Sequence, residues 1–362
     1  MAKYTNSELC LIWLDSFCGL EYKHKQELYK LINGKEGIHS LLVKGRDYIL
    51  NYVGESEYNN LLASANETYL SYVLESLATR GIQAVTIQSS DYPDALKETA
   101  IPPLVLYAKG DVSLLNSQIF GIVGSRRSLP LSISLAGEYA KELSQAGFTL
   151  VTGIAQGVDE KVLKSVLENN GKAISVLGGG FDNIYPKTNE GLVEQLANKG
   201  LVITEYPPEV MSKAYHFPVR NRIIAGLSVG VLIVSGRIKS GTQYTAEYAE
   251  EYGRDVFSIP YSVGIESGAG CNDLIKRGAI LTDRPEDILE FYGKSSAKQE
   301  QRLDENEMQI VDALSQGEMH VQQLCSKINR QVYEVLPVLS MLEIKGIVIK
   351  NGVNVYGLVR TI

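Results

Sequence analysis

The chain has 362 residues, of which 44% are hydrophobic and 21% are charged, and its formal net charge is -7. A chain of this length is longer than a typical domain with a single hydrophobic core, so two or three domains are predicted. The composition excludes a mainly disordered chain. The negative total excludes a protein coated in positive charge but not a local basic cleft, because the field inside a cleft depends on its own lining.

Residues 1–80 are predicted to form a small helical, SAM-like domain. Apolar residues recur at spacings of three and four in ELCLIWLDSF and HKQELYKLI, as they do on one face of a helix. Glu8 and Asp15 interrupt the apolar stretch that a signal peptide requires, and the longest apolar run, VGVLIV, is too short to cross a bilayer. We therefore expect a cytoplasmic protein with no membrane partner.

Residues 81–292 alternate between short β-branched runs and segments of helical periodicity. Strands are predicted in AVTI, IFGIVGS, FTLVTG, KAISVLG, LVITEY, VGVLIVS, DVFSIP and AILT. Helices are predicted between them in PLSISLAGEYAKELSQAG, VDEKVLKSVLENN, NEGLVEQLANKG and TQYTAEYAEEYG. Strands that alternate with crossover helices predict an α/β fold, an extended Rossmann-like, doubly wound and mostly parallel sheet.

The end of the chain is predicted to be a separate domain. Residues 293–303 are polar and are predicted to form a linker, and residues 304–362 are predicted to form a C-terminal winged-helix domain. Its pattern is three helices followed by IVIK-NG-VNVYGL, in which Asn351-Gly352 predicts the turn of a β-hairpin.

Glycine-rich loops follow the predicted strands of the middle domain. Ligands of an open parallel sheet bind beyond the carboxyl ends of its strands, and backbone amides at helix N-termini bind phosphate. Each loop alone is weak evidence, since a glycine also serves plain turn geometry. Together with nearby cations, however, the loops predict a phosphate-binding edge. Its predicted members are Gly124, Ser125, Arg126, Arg127, Gly153, Gly157, Gly178, Gly179, Gly180, Lys187, Arg220, Asn221, Arg222, Ser240, Gly241 and Thr242.

The Arg220-Asn221-Arg222 element, which precedes the apolar run VGVLIV, has two interpretations. In the first, the two guanidinium groups clamp a phosphate while Asn221 holds a loop backbone. In the second, the arginines cap helix ends or pair with acids such as Glu205. The sequence leaves both interpretations open.

The sequence contains no recognisable catalytic or metal-binding constellation. The four histidines and four cysteines lack metal-ligand spacing, and no GxSxG motif is present. Asp159, Asp182 and Glu205 form no evident acid–base pair, and Asp159 is predicted to cap a helix rather than to act as a base. We therefore expect ligand binding without turnover, with no metal and no cofactor.

These loops, in this order, resemble the DNA-processing protein A family (DprA, also called Smf). The resemblance covers about residues 90–285 and is carried by YPDALKETAIPPLVLYAKGD, GIVGSRRS, TGIAQGVD, LGGGFDNIYPKTNEGL, HFPVRNRIIAGLS, SGTQYTA and GCNDLIKRGAILT. It implies a non-enzymatic homodimer that binds single-stranded DNA, protects incoming strands during natural transformation and helps load RecA recombinase. The positive pocket it implies falls on Arg126, Lys187, Gly124 and Gly178 to Gly180, with Arg220 and Arg222 matching the RNR element.

The chain departs from the family pattern and is identified as a divergent member. The departures are Gln156 and Leu163 in place of arginine and histidine, Ser235-Gly236 in place of an acidic residue after VGVLIV, and Pro260-Tyr261 in place of Pro-Gly. The missing cation at position 156 predicts a weaker phosphate contact by that loop.

An enzymatic alternative comes from the nucleoside-monophosphate phosphoribohydrolases of the Lonely Guy type, which have a related nucleotide-binding core. Gly241-Thr242 fit their PGGxGTxxE motif, but Thr245 stands in the position of the catalytic glutamate. A second alternative is a duplex-DNA regulator that acts through the winged helix. Glu334 and Glu343 lie on its predicted reading face, which favours protein contact instead.

Three aromatic side chains near the loops have two possible roles. Phe181, Tyr185 and Phe217 are positioned to stack on DNA bases, but their apolar neighbours favour ordinary packing.

Overall fold

The computed structural model describes residues 4–17, 20–32, 36–295, 303–344 and 347–359. The chain divides into two compact units, Met1–Ala297 and Lys298–Ile362. Most of the predicted linker, residues 293–303, lies outside the described residues, as does Cys18. Cys10, Cys271 and Cys325 are buried free thiols.

The first part of the larger unit is helical. Its opening helix begins with a capping box, in which the side chains of Thr5 and Glu8 each bind the other residue's backbone N–H. Trp13 lies fully buried at the centre of these helices and donates from its indole N–H to the backbone oxygen of Ser64, 3.2 Å away. The helices are α1 (Asn6–Asp15), α2 (Tyr22–Leu31), α3 (Ile38–Tyr52), α4 (Glu55–Ser64) and α5 (Glu67–Thr79).

The rest of the larger unit alternates strands and helices, as predicted. Its elements are β1 (Gln83–Thr86), α6 (Asp94–Lys97), β2 (Val105–Gly110), β3 (Ile119–Val123), α7 (Pro130–Gln145), β4 (Thr149–Thr152), α8 (Val158–Glu168), β5 (Ala173–Val176), α9 (Glu190–Lys199), β6 (Leu201–Thr204), α10 (His216–Leu227), β7 (Gly230–Ile233), α11 (Gly241–Glu251), β8 (Asp255–Ser258), α12 (Ala269–Lys276), β9 (Ile280–Leu281) and α13 (Pro285–Phe291). Strand β2 was not among the strands predicted from the sequence.

The strands form one sheet in the order β1-β2-β6-β5-β4-β3-β7-β8-β9. Along the sheet, all neighbouring strands from β6 through β3 to β9 pair in parallel. Strand β2 pairs antiparallel with both β1 and β6. The chain builds outward from β3 through β4 to β6, then returns to the other side of β3 with β7. The predicted doubly wound, mostly parallel sheet is confirmed, and its strand order reverses at β3 and β7.

Apolar layers cover both faces of the sheet. Successive residues of a strand point to opposite faces, so Ile119 and Val123 of β3 join one core cluster while Phe120 and Ile122 join the other. Helices α10, α11 and α12 contribute to the first cluster, together with α1. Helices α7, α8, α9 and α13 contribute to the second.

Helix α10 is the main local feature that the sequence analysis did not predict. The segment HFPVRNRIIAGL forms a helix, and no helix was among those predicted there. Most of its residues are buried, including both arginines and the run from Ile223 to Leu227, so no polar face marks it as amphipathic. Pro218 falls in the first turn, where a missing N–H costs no helical bond.

The smaller unit contains helices α14 (Glu305–Leu314), α15 (Val321–Ile328) and α16 (Val332–Ile344), with strands β10 (Met319–His320), β11 (Val348–Gly352) and β12 (Val355–Leu358). The strands pair antiparallel in the order β10-β12-β11. The winged-helix assignment itself stays a prediction. A hairpin forms as predicted, but its turn lies at Val353-Asn354 and not at Asn351-Gly352. The register shifts between Lys350 and Gly352, and Asn354 takes the left-handed conformation that the turn needs.

None of the helices in the described ranges combines the length and apolar character that spanning a bilayer requires.

Candidate nucleic-acid interface

A cleft of about 770 Å³ opens at the carboxyl ends of β3 and β7. This is the position where the strand order reverses, and ligands of doubly wound sheets bind at such positions. The loop after β3 contributes Gly124 to Arg127, and the loop after β7 contributes Arg237 and Ser240 to Thr242. The sequence predicted both loops as parts of one edge, and the structure brings them together.

The floor of the cleft contains a buried arginine and a buried carboxyl group. Arg220, from α10, donates from Nη1 to the carbonyl oxygen of Val176 at 2.5 Å. Asp159, from the first turn of α8, accepts a bond from the backbone N–H of Ala155 at 3.2 Å. Burial raises the pKa of Asp159, and the neighbouring Arg220 opposes that rise. The carboxyl group thus bonds an amide next to its helix, as in a cap, and balances the charge of Arg220.

The two arginines of the RNR element lie in different places. Arg222 is buried and pairs with the carboxylate of Glu205, while its guanidinium lies 5.7 Å from the ring centroid of Tyr22. It therefore joins the core to the N-terminal helices and does not line the cleft with Arg220. Of the two interpretations of Arg222, the geometry favours pairing with Glu205 over the phosphate clamp.

Asn221, between the two arginines, holds a loop backbone as predicted from the sequence. Its Nδ2 donates to the carbonyl oxygen of Gly241 at 3.1 Å. This bond ties α10 to the first residue of α11, and α11 therefore begins at the cleft.

Aromatic rings form a surface at the rim. The guanidinium of Arg126 lies 4.9 Å from the ring centroid of Phe217, and that ring lies 5.8 Å from the ring of Tyr185. Tyr185 is 53% exposed, whereas Phe181 packs against the core clusters. The sequence predicts ordinary packing for all three rings. The structure shows packing for Phe181 and leaves the exposed Tyr185 accessible to a ligand.

The triple glycine after β5 lies behind this surface. A Cβ at Gly178 would meet the Phe217 ring at 2.8 Å, one at Gly179 would meet Ser212, and one at Gly180 would meet backbone oxygen at 2.2 Å. All three glycines are buried. In this geometry they allow close packing beneath residues 207–217, and a direct phosphate contact by them stays a prediction.

The loop after β4 also uses its glycines for packing. A Cβ at Gly153 would lie 2.3 Å from Nη1 of Arg220, and Gly157 adopts φ +91° against the backbone of Arg126. Exposed Gln156 donates to the hydroxyl of Thr188 at 3.3 Å. The neighbouring Lys187 is exposed and lies outside the lining of the cleft. A phosphate contact by Lys187 stays a prediction.

The structure accounts for two of the residues at which the chain departs from the family pattern, Leu163 and Ser235. Leu163, in α8, is fully buried in the core, so an apolar side chain suits its position. Ser235 is also fully buried, and its Oγ accepts a bond from the backbone N–H of Ser125 at 3.0 Å. This bond fixes the glycine–serine turn after β3 at the cleft.

Some lining residues were missed by the sequence analysis. Arg237 lies in the quoted VSGRIKSG loop and lines the cleft, but its cation was not assigned to the site. The position of Arg237, between a predicted strand and the N-terminus of a predicted helix, could have assigned it to the site. Ser212 also lines the cleft, and its segment carries no pattern that predicts this.

Comparisons with known proteins agree with this fold. The family model for DNA recombination-mediator protein A matches residues 83–293. The DNA processing protein DprA of Bacillus subtilis is 39% identical over 222 residues, which cover 61% of this chain and 75% of that protein.

Two solved structures are similar as well. The X-ray structure of DNA processing protein A from Streptococcus pneumoniae superposes with a TM-score of 0.67 at 29% identity and covers 79% of this chain and 98% of that one. The Helicobacter pylori DNA processing protein A, described for its single-stranded DNA binding mode, gives a TM-score of 0.53 at 30% identity, covering 58% and 95%. The chain therefore belongs to the DNA recombination-mediator protein A family of DNA-processing proteins.

Proposed function

We propose that this protein binds single-stranded DNA in the cleft, as a cytoplasmic, non-enzymatic homodimer. We further propose that it protects incoming strands during natural transformation and helps load RecA on them. The observation that carries the proposal is that an exposed cation, Arg126, and an exposed ring, Tyr185, both lie next to the ring of Phe217. The Helicobacter pylori relative, described by its single-stranded DNA binding mode, adds support.

Single strands bind proteins through a positive groove and through aromatic rings on which bases stack. Arg126 and Arg127 are exposed and line the cleft, so they are placed to neutralise phosphates. Tyr185 offers an exposed ring to an unpaired base, and a base within a duplex is not available for such stacking. We therefore expect slight sequence preference and a strong dependence of affinity on salt.

The cleft geometry supports binding without turnover. Thr245 is fully buried at the position where a hydrolase would need glutamate. Asp159 is bonded to the Ala155 amide and lies beside Arg220, so it is held as a structural partner. Release of free base from a nucleoside monophosphate would contradict this part of the proposal.

Features of the smaller unit support a protein partner for its helix α16. Glu334 and Glu343 are exposed on that helix, and so are the apolar side chains of Tyr333 and Met341. Acidic and apolar surface suits a protein better than the phosphates of duplex DNA. RecA is the partner that the family implies.

The sheet edge at β9 supports self-association. Leu281 of β9 is 48% exposed, and Phe291 at the end of α13 is 51% exposed. An open edge with apolar side chains is a surface for pairing with another chain. Light scattering of the full chain should give twice the mass of one chain, and a monomer would contradict the homodimer.

The test of strand binding is fluorescence anisotropy of a labelled oligothymidine at several salt concentrations. The Arg126→Ala, Lys187→Ala double variant removes one arginine and one lysine from the expected path. A matched control, Lys30→Ala with Arg46→Ala, removes the same side chains from exposed positions on the N-terminal helices.

Loss of two phosphate contacts should reduce the slope of log affinity against log salt by about 1.4. The control variant should bind like the wild type. Wild-type protein that fails to bind at low salt, or a cleft variant that keeps the wild-type slope and affinity, would overturn the proposal.

A further inference from the structure

Two buried polar groups line the cleft without a hydrogen-bond partner. Arg220 is 4% exposed and Thr245 is 0% exposed, and both line the cleft. Nε of Arg220 and Oγ1 of Thr245 have no partner among the residues that the structure describes. Since an unpaired buried donor costs free energy, such groups point to a ligand that supplies acceptors.

The first turn of α11 adds donors beside these two groups. Ser240, Gly241 and Thr242 line the cleft, and Ser240 makes no side-chain cap to the helix. The backbone N–H groups of a helix's first turn have no partner within the helix, and they bind anions. The bond from Asn221 to the carbonyl oxygen of Gly241 holds this turn in place.

Asp159 shares the lining, and its charge opposes an anion. The neighbouring Arg220 offsets that charge, and the Ala155 amide already binds the carboxyl group.

Buried residues of the lining form the floor of the cleft, with the apolar Val123 and Ile224 beside Arg220 and Thr245. A strand that places an internal phosphate at the floor must both enter and leave the cleft. A strand that places its terminal phosphate there only has to enter. A phosphate monoester also carries more charge than an internal phosphodiester and accepts more hydrogen bonds.

We infer that the floor of the cleft binds a phosphate monoester, supplied by the 5′ end of a DNA strand or by a free nucleotide. The strand-end form rests on the proposed function, because the strand must first reach the cleft. Arg126 and Tyr185 at the rim then hold the adjoining nucleotides, while Arg220, Thr245 and the first turn of α11 hold the end.

The test compares oligothymidines that carry a 5′-phosphate or a 5′-hydroxyl, each labelled at the 3′ end, by anisotropy with the full chain. Isothermal titration with thymidine monophosphate and with thymidine provides a second, independent arm. The Thr245→Val variant removes the unpartnered hydroxyl at nearly constant volume. Thr149→Val makes the same change at the amino end of β4, where the hydroxyl accepts a bond from Ser117 at 2.7 Å.

We expect the 5′-phosphate strand to bind about tenfold more tightly than the 5′-hydroxyl strand, equivalent to one charge-assisted hydrogen bond. Thr245→Val should reduce this preference for the 5′-phosphate strand, and Thr149→Val should leave the preference unchanged. Equal binding of the two strands by the wild type would overturn the strand-end inference and leave the proposed function standing.

Binding of thymidine monophosphate but not thymidine, with neither strand bound, would support the free-nucleotide source and overturn the proposed function. Failure of both strands and of the monophosphate to bind would overturn both. A phosphate preference that Thr245→Val leaves intact would contradict the assignment to this floor.

Discussion

The buried pair of Arg222 and Glu205 makes a specific prediction about stability. Its side chains are 4% and 6% exposed. The Arg222→Leu variant replaces the guanidinium side chain with an apolar one and leaves the Glu205 carboxylate buried without its cation. Loss of one partner of a buried ion pair lowers the unfolding free energy by roughly 3–5 kcal/mol.

Protonation of Glu205 limits the loss of unfolding free energy, and this limit depends on the pH. Burial already raises the pKa of Glu205, with Arg222 limiting the rise, so loss of Arg222 should raise it further. In the variant the carboxyl group is then protonated in the folded state. Protonating a glutamate of ordinary pKa at pH 7 costs about 3.7 kcal/mol, and at pH 5 it costs about 1 kcal/mol. Because the folded variant binds the extra proton, its loss of unfolding free energy should grow as the pH rises from 5 to 7.

Urea unfolding followed by tryptophan fluorescence measures this loss. Trp13 is the only tryptophan and is fully buried in the same unit as the ion pair. The Arg222→Leu, Glu205→Leu double variant should recover much of the stability, since neither charge of this pair stays buried. Arg237→Leu is the control, because its pair with Glu266 is exposed. An unfolding free energy for Arg222→Leu equal to the wild type at pH 7, or a loss independent of pH, would refute the reasoning.

Two further predictions concern the cleft, and a third concerns the buried His216. Gly153→Ala should lower both the melting temperature and strand affinity, measured by calorimetry and anisotropy, because its Cβ would meet Arg220 at 2.3 Å and Asp159 at 2.4 Å. Tyr185→Ala should weaken oligothymidine binding by about 5- to 100-fold through lost stacking, with little change in melting temperature because the side chain is exposed. His216→Gln should flatten the pH dependence of urea unfolding, because burial lowers the pKa of His216.

The sign of the His216 effect follows from proton binding. The unfolded histidine, with an ordinary pKa near 6.5, binds more protons than the folded one. Wild-type stability should therefore be lost as the pH falls below about 6.5, and more steeply than in His216→Gln. Parallel pH profiles would contradict this prediction. Unchanged strand affinity would contradict the Tyr185 prediction, and Gly153→Ala with wild-type melting and affinity would contradict the packing argument.

The fold was largely predictable because its main signal is local. Short β-branched runs and helices alternate along residues 119–258, and this alternation predicts a parallel sheet. Helix α10 was not predictable by periodicity, because it is buried on nearly all sides and carries Pro218 in its first turn. The hairpin turn was misplaced because Gly352 still pairs with Val355 after a register shift in β11, while Asn354 supplies the left-handed residue.

The site was predictable at the level of loops but not of individual contacts. The sequence placed Arg126, Arg220 and the Gly241 turn on one edge, as the structure shows. It did not separate the roles of Arg220 and Arg222, since which side of a buried helix faces a cleft depends on tertiary packing. For the same reason the packing role of Gly178 beneath Phe217 carries no sequence signal.

The most direct test of the central claim is photo-crosslinking of an iodouracil-substituted single strand to the full chain, with the crosslinked peptides identified by mass spectrometry. Strand binding in the cleft predicts crosslinks at Tyr185 or Phe217, and their loss in the Arg126→Ala, Lys187→Ala variant. Crosslinks confined to the N-terminal helices, at exposed Tyr52 or Tyr72, or to the smaller unit, at exposed Tyr333, would contradict the account.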